Sequence, residues 1–324
     1  MLFFVCLFKI EGYMFSEILK IKFGSHLYGT NTENSDTDYS GIFIADEDYY
    51  FGLKSINESD FSVVDKDDRG KNTKDALDFK LYEIRSFAKL SLQNNPNILE
   101  HLFVNDENIE FVDDLGLQLL NNAHLFPHKG ACEKYVGYAK SQKHKMVVKR
   151  ENHEELFLAK DYLSNQDQNL YMVELKINDL KNMPFIKEDD VHFIIGDLSF
   201  QKHLRVKKVL ESITERLDKL TNRHELILKH GYDTKFAMHL LRLLLEGKEL
   251  LNTGKIEFPL KKKDFLLDVK KGRYTINEIM SISEQFENEI LIDKENSKLP
   301  NAPSFDDANN LVKKIVKECF NIKN

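Results

Sequence analysis

The stretch GSHLYGTNTENSDTDYSGIFI, which begins at Gly24, constrains the chain more than any other. A Gly-Ser pair closes the alternating segment ILKIKF, and two aspartates, Asp36 and Asp38, lead into the apolar run IFI. On an extended chain, residues two apart share a face, so these two carboxylates aim the same way if both are extended. Like charges at close range repel unless a cation bridges them. Ligands that are all carboxylate oxygens suit Mg²⁺, which takes one or two carboxylates plus substrate phosphates. SDTD can also be read as a plain turn, with Ser35 and Asp36 bonding to local backbone. The Gly24–Ser25 pair tips the balance towards a metal site. Placed between a strand and a short helix, it offers backbone N–H groups and a hydroxyl to phosphate oxygens. A phosphate cradle followed by a metal-binding aspartate pair makes a coherent triphosphate site.

A third carboxylate on a neighbouring strand would allow two metal ions. ALDFKLYEI alternates its apolar residues at Leu77, Phe79 and Leu81, so it reads as a strand with Asp78 near its middle on the opposite face. Asp78 is therefore the first candidate. Asp75 lies at the strand's edge with the other parity and ranks lower.

Composition excludes several classes. With 324 residues, length predicts about two domains. A hydrophobic content of 42% supports a sizeable core. The net charge of −7 argues against non-specific coating of nucleic acid, although a local basic groove stays compatible with it. The three cysteines, Cys6, Cys132 and Cys319, form no CxxC pair, so we expect a reducing, cytoplasmic setting and no structural zinc. The opening MLFFVCLFKIEGYMF is too short to span a membrane and lacks a basic n-region and a cleavage site. Met14 is an alternative start, where the well-patterned sequence begins.

The first third reads as α+β. FSEILK is expected to form a helical turn, ILKIKF a strand, SHLYG a helical turn, and TDYSGIFIAD a strand. NESDFSVVDKDDRGKNTKD reads as a polar loop. YEIRSFAKLSLQ has helical period, and Asn95-Pro96 caps and opens a helix over NILEHLF. Beyond Asp113 the pattern is mainly helical: DLGLQLLNNAHLF, ACEKYVGYAKSQKHKMVV, QKHLRVKKVLESITERLDKLT, TKFAMHLLRLLLEGKELLNTG and FDDANNLVKKIVKECF. LYMVELKIND and DVHFIIGDL are candidate strands of a small insertion near residues 151–200. We therefore expect a mixed-sheet domain over residues 15–112 and a mainly helical domain over residues 113–324.

GSHLYGTNTENSDTDYSGIFI resembles the signature of the DNA polymerase β-type nucleotidyltransferases, a Gly-Ser pair followed by DxD on the next strand. More narrowly, it resembles the bacterial and phage nucleotidyltransferases linked to RNA repair pathways. DFKLYEIRSFAKLSLQNNPNILEHLF, YVGYAKSQKHK, GYDTKFAMHLLRLLLEGKELLNTG and SKLP extend the likeness, in the same order, from about Lys20 to Pro300. Residues from about 151 to 200 match nothing in it. The resemblance implies a polymerase β-like α+β fold, an NTP substrate, and Mg²⁺ or Mn²⁺, with two ions expected. It places Gly24 and Ser25 on the β- and γ-phosphates and Asp36, Asp38 and Asp78 on the metals. Asp78 also becomes the group that helps deprotonate the attacking hydroxyl. Relatives often carry Arg after Gly-Ser, whereas this chain has His26, read as a solvent-facing helix residue.

A second feature is a narrow polar stripe. Lys235, His239, Arg242 and Glu246 fall within roughly 60° of one helix face, amid Phe, Ala, Met and Leu. One reading sets Lys235, His239 and Arg242 on the triphosphate or an acceptor phosphate. The other makes Arg242 and Glu246 an i,i+4 pair on an exposed stripe. Asp233 is expected to cap this helix. The basic run KSQKHKMVVKR either docks a nucleic-acid backbone or, more commonly, forms a solvated helix face.

The expected activity is metal-dependent transfer of a nucleoside monophosphate from an NTP to an acceptor hydroxyl on an RNA end, a protein or a small molecule. The nucleotide is expected between the two domains. A non-catalytic nucleotide-binding or antitoxin-like module on the same scaffold is the alternative, and an RNA-binding scaffold is a third. No membrane partner is expected, and the compartment is the cytoplasm, the host's if the gene is carried by a phage.

Overall fold

Alternating apolar side chains in the first third of the chain build a mixed sheet. The computed structural model describes residues 7–10, 13–33, 35–63, 77–175, 187–219, 227 and 229–322. Strands β1 (Leu7–Ile10) and β2 (Tyr13–Phe23) lead into a single helical turn, α1 (Ser25–Tyr28). Strand β3 (Asp38–Ile44) follows, then α2 (Asp48–Phe51), the short strand β4 (Glu58–Asp60) and β5 (Asp78–Glu83). Helices α3 (Ile84–Leu92) and α4 (Pro96–Leu99) run into a 3-10 turn at Glu100–Phe103. Strand β6 (Ile109–Val112) and helix α5 (Asp114–Asn121) complete this part.

The strand order is β1-β2-β3-β5-β4, with β6 also paired to β2. Strands β3 and β5 are parallel, while the other pairs are antiparallel. A parallel pair needs a crossover, and α2 and β4 lie within it. The architecture is thus α+β as expected. FSEILK, however, is extended within β2 rather than helical. A register shift between Glu17 and Leu19 leaves both Ile18 and Leu19 fully buried, and that burial outweighs a local helical pattern. Glu83 caps α3 by accepting from the backbone N–H groups of Arg85 and Ser86. Pro96 sits at the start of α4, as the Asn95-Pro96 pair predicts.

The later helices are α6 (Ala131–Ser164), α7 (Val206–Lys219), α8 (Thr234–Thr253), α9 (Lys263–Lys270), α10 (Ile276–Asn296) and α11 (Phe305–Cys319). The sequence reading did not anticipate α9 or α10. Strands β7 (Lys187–Glu188), β8 (His192–Ile195) and β9 (Leu198–Gln201) form a three-stranded antiparallel sheet. DVHFIIGDL is therefore a strand, whereas LYMVELKIND opens with a 3-10 turn at Met172–Glu174 and continues outside the described residues. Asp75 and Cys6 also lie outside them.

By contact the chain divides into two units. The first comprises Met1–Lys140, Met238–Asp268 and Met280–Asn324, and holds the six-stranded sheet. The second comprises Ser141–Ala237 and Val269–Ile279. It has its own core, in which Leu156, Phe193, Ile195 and Ile213 take part. Among the described residues no helix is long and apolar enough to cross a membrane.

Candidate active site

Strands β3 and β5 bring two distant aspartates together. Asp38 and Asp78 are direct Cα partners in the parallel register, and each is the first residue of its strand. Partners of this kind share a sheet face. Asp78 therefore opens β5 rather than sitting mid-strand, and its carboxylate is exposed. Its Oδ1 accepts from Ser62 Oγ at 3.1 Å, and the Phe79 backbone N–H donates to the same hydroxyl at 3.1 Å. Ser62 thereby orients Asp78.

Gly24 closes the array from the β2 side. Its φ of 62° and ψ of −132° favour glycine. A Cβ built on it would lie 2.6 Å from Asp38 Oδ2, so only glycine lets the turn approach that carboxylate. Ser25 begins α1 directly after it. Asp36 is placed differently from expectation: it is exposed and precedes β3 instead of lying within it. Between the two aspartates, Thr37 Oγ1 lies 3.4 Å from His26 Nε2. His26, within α1, is half-buried beside this loop.

The polar stripe on α8 is graded. Lys235 is exposed, His239 half-buried, and Arg242 and Glu246 buried. Arg242 is 3% exposed. Its Nη1 donates to Glu100 and, at 2.9 and 3.1 Å, to the Glu246 carboxylate. Tyr28 Oη donates to Glu100 Oε2 at 2.7 Å, and the guanidinium lies 4.2 Å from the Tyr28 ring centroid. Burial pushes the Glu246 carboxyl well above the usual carboxylate range, against the pull of Arg242. Arg242 is thus committed to an internal cluster, which corrects the reading of it as an open phosphate ligand. The i,i+4 pairing with Glu246 is present but buried, not on an exposed stripe. Asp233 caps the helix by accepting from Lys235 and Phe236 N–H at 3.0 and 3.3 Å.

The sequence profile of the RNA repair pathway DNA polymerase beta family (RlaP) matches residues 12–314. The chain belongs to this family. It is also 26% identical, over 305 residues, to an uncharacterized 38.9 kDa protein of the nrdC-mobD intergenic region in Enterobacteria phage T4, covering 84% of this chain and 88% of that one. No solved structure matches the chain. Membership is consistent with nucleotidyltransferase chemistry at a coarse level.

The donor set can be tested for fit to the divalent cation that polymerase β-like enzymes usually use. Asp38 and Asp78 supply only carboxylate oxygens, as a hard cation such as Mg²⁺ requires. Gly24 keeps the Asp38 oxygen clear of any side chain from the turn. Among the described residues no three His, Cys, Asp or Glu side chains converge as a metal cluster.

Residues that local pattern did not single out support the array from beneath. His101 is buried, with Nε2 2.7 Å from Ser40 Oγ and Nδ1 3.2 Å from the Ile98 carbonyl. Its ring stacks on Phe23, the residue before Gly24, at 4.9 Å between centroids. Burial lowers its pKa to about 4, so it is neutral at physiological pH. Nδ1–H then donates to Ile98 and Nε2 accepts from the Ser40 hydroxyl. Glu100 and His101 are adjacent, so one 3-10 turn reaches Tyr28 at the end of α1, Phe23 at the end of β2, and Ser40 on β3. NILEHLF shows the helical start here, but no periodicity reveals those partners.

Of the basic run, Lys140 Nζ lies 3.8 Å from Glu287, while His144 and Lys145 are exposed on α6.

Proposed function

We propose that the protein is a metal-dependent nucleotidyltransferase that moves a nucleoside monophosphate from an NTP to an acceptor hydroxyl and releases pyrophosphate. The observation that carries this reading is the in-register opposition of Asp38 and Asp78 beside a turn that only glycine can make. Family membership supports the same chemistry.

Gly24 and Ser25 hold the β- and γ-phosphates through backbone N–H groups and the serine hydroxyl. Asp38 and Asp78, with Asp36 from the preceding loop, hold Mg²⁺ or Mn²⁺. A bound divalent ion offsets charge on the triphosphate and on the leaving pyrophosphate. The acceptor oxygen forms a bond to the α-phosphorus as the bond to the bridging α–β oxygen breaks. Asp78 is the carboxylate placed to receive the acceptor's proton. Ser62 occupies its Oδ1 and leaves Oδ2 without a described partner. Most of the acceleration comes from positioning and electrostatics. His239 on α8 is a candidate phosphate contact for the same assay.

The family description makes an RNA end the first acceptor to test, ahead of protein hydroxyls and small molecules. The experiment incubates the full chain with each labelled NTP, Mg²⁺ or Mn²⁺, and RNAs bearing defined ends. Acceptor-dependent pyrophosphate release that is lost in Asp38→Asn supports the enzyme. Metal-assisted nucleotide binding with no release under any acceptor would leave a nucleotide-binding module instead.

A further inference from the structure

Two buried carboxyl groups meet one guanidinium in the first unit, and their full charges do not balance. Glu100 and Glu246 are 0% exposed, and Arg242 is their shared cation. Two carboxylates against one guanidinium would leave a net negative charge away from water, which is strongly unfavourable. The hydrogen bonds show where the balance is restored. Glu100 has a donor on each oxygen: Arg242 Nη1 on Oε1 and Tyr28 Oη, at 2.7 Å, on Oε2. Glu246 has only the Nη1 that Glu100 already shares. The two carboxyl groups also hydrogen-bond each other. Ionised carboxylates can only accept, so this contact needs a proton between them. With both Glu100 oxygens taken by donors, that proton falls to Glu246.

The other elements around Glu246 supply no charge to offset it. Helix α6 contributes Tyr135 and α1 contributes Tyr28, both buried. Burial holds both phenols well above their usual range, so they stay protonated. Helix α10 contributes Ile290: a Cβ on Gly247 would lie 2.6 Å from Ile290 Cδ1 and 2.8 Å from Tyr135 Cβ. Lys248, the next cation along α8, is paired with Glu289 on α10.

Through Tyr28 the cluster holds α1. Tyr28 is the last residue of the single turn that begins at Ser25, and its backbone N–H donates to the Gly24 carbonyl at 3.1 Å. So short a helix has little stability of its own and depends on its packing.

We propose that Glu246 is a neutral carboxylic acid that donates its proton to Glu100, and that this proton makes the cluster an alkali-sensitive clamp on α1. The clamp closes with uptake of a proton and opens with its release, so rising pH favours the open form. Above the ordinary carboxyl value of 4.5 an unfolded Glu246 is ionised while the folded one is not. Stability from this group therefore falls as pH rises from there, the opposite sense to His101. The inference stands on the cluster alone and needs no bound nucleotide.

The test compares the full chain with Glu246→Gln, which still donates to Glu100 but carries no titrating proton. Between pH 5.5 and pH 7, chemical denaturation should show the wild-type unfolding constant rising about tenfold per pH unit relative to the variant. The Tyr28, Gly29 and Thr30 amides donate to the Gly24, His26 and Ser25 carbonyls. Their protection from hydrogen exchange should fall about tenfold per pH unit relative to the variant. Parallel unfolding slopes overturn the inference, since Glu246 is then ionised in the fold. Diverging slopes with a constant exchange ratio overturn the clamp, because α1 then opens without releasing the proton. Should Glu246→Gln not fold, infrared spectroscopy of the wild type at pH 7 decides: the carbonyl band of a protonated carboxyl is expected, and its absence overturns the proposal.

Discussion

Asp38 and Asp78 face each other as the first residues of two parallel strands, on one face of the sheet. The backbone ladder fixes the spacing of their Cα atoms, so the two acidic side chains stay neighbours for as long as the start of the β3–β5 pairing holds. A pair held this way has its charge in place before any cation arrives.

Replacing either aspartate by asparagine should therefore separate stability from function. Without metal, Asp78→Asn should melt no lower than wild type, since it removes repulsion and keeps an acceptor for Ser62. Manganese- and NTP-dependent pyrophosphate release should fall roughly 100-fold or more, about 3 kcal/mol of barrier. Thermal melts with and without Mn²⁺, run beside the release assay, check both parts.

Gly24→Ala should be costly where most surface glycines are not. The φ of 62° and the 2.6 Å approach to Asp38 Oδ2 predict about 1–3 kcal/mol of destabilisation, with loss of metal-dependent stabilisation. Gly137→Ala is the control: it lies in α6 with nothing within 4 Å of an added Cβ, and should stabilise by up to about 1 kcal/mol. Urea denaturation of the two variants reads the contrast.

Arg242→Ala should act on folding first. It leaves Glu100 and Glu246 buried without their guanidinium, a loss of about 3–5 kcal/mol. Arg242→Met paired with Glu100→Gln should recover part of it, because both charges then leave together. If instead Arg242→Lys kept full stability while weakening NTP binding, the guanidinium would be a phosphate contact after all.

His101 should give the protein an acid-sensitive step. Its pKa falls from 6.5 to about 4 on folding, so the unfolded chain binds more protons between those values. The stabilisation is complete above pH 6.5 and is lost as pH falls towards 4, by about 3 kcal/mol in all. His101→Phe should keep the ring contacts with Phe23, Tyr82 and Phe87 and remove that dependence. With the imidazole gone, the Ser40 hydroxyl proton turns to the Lys80 carbonyl, 3.2 Å from Oγ, so no donor is stranded. Chemical denaturation from pH 4 to pH 7 compares the slopes.

The local sequence already carried much of this protein. Apolar alternation drew β3 and β5, the Gly-Ser pair marked the turn before α1, and Asn95-Pro96 set the start of α4. Such features are legible because their causes, side-chain periodicity and backbone stereochemistry, act within a few residues. FSEILK marks where that legibility stops, since its strand conformation comes from pairing with β3 and not from its own pattern.

Only the tertiary structure decided which distant residues meet. Asp78 opposes Asp38 because the strands run parallel in that register. Arg242 turned from an expected phosphate ligand into a buried partner of Glu100, a residue 142 positions away. His101 found Ser40 by the same route. Register, burial and ion pairing are settled by packing among elements far apart in the chain, so a one-dimensional pattern can nominate these residues but cannot choose their partners.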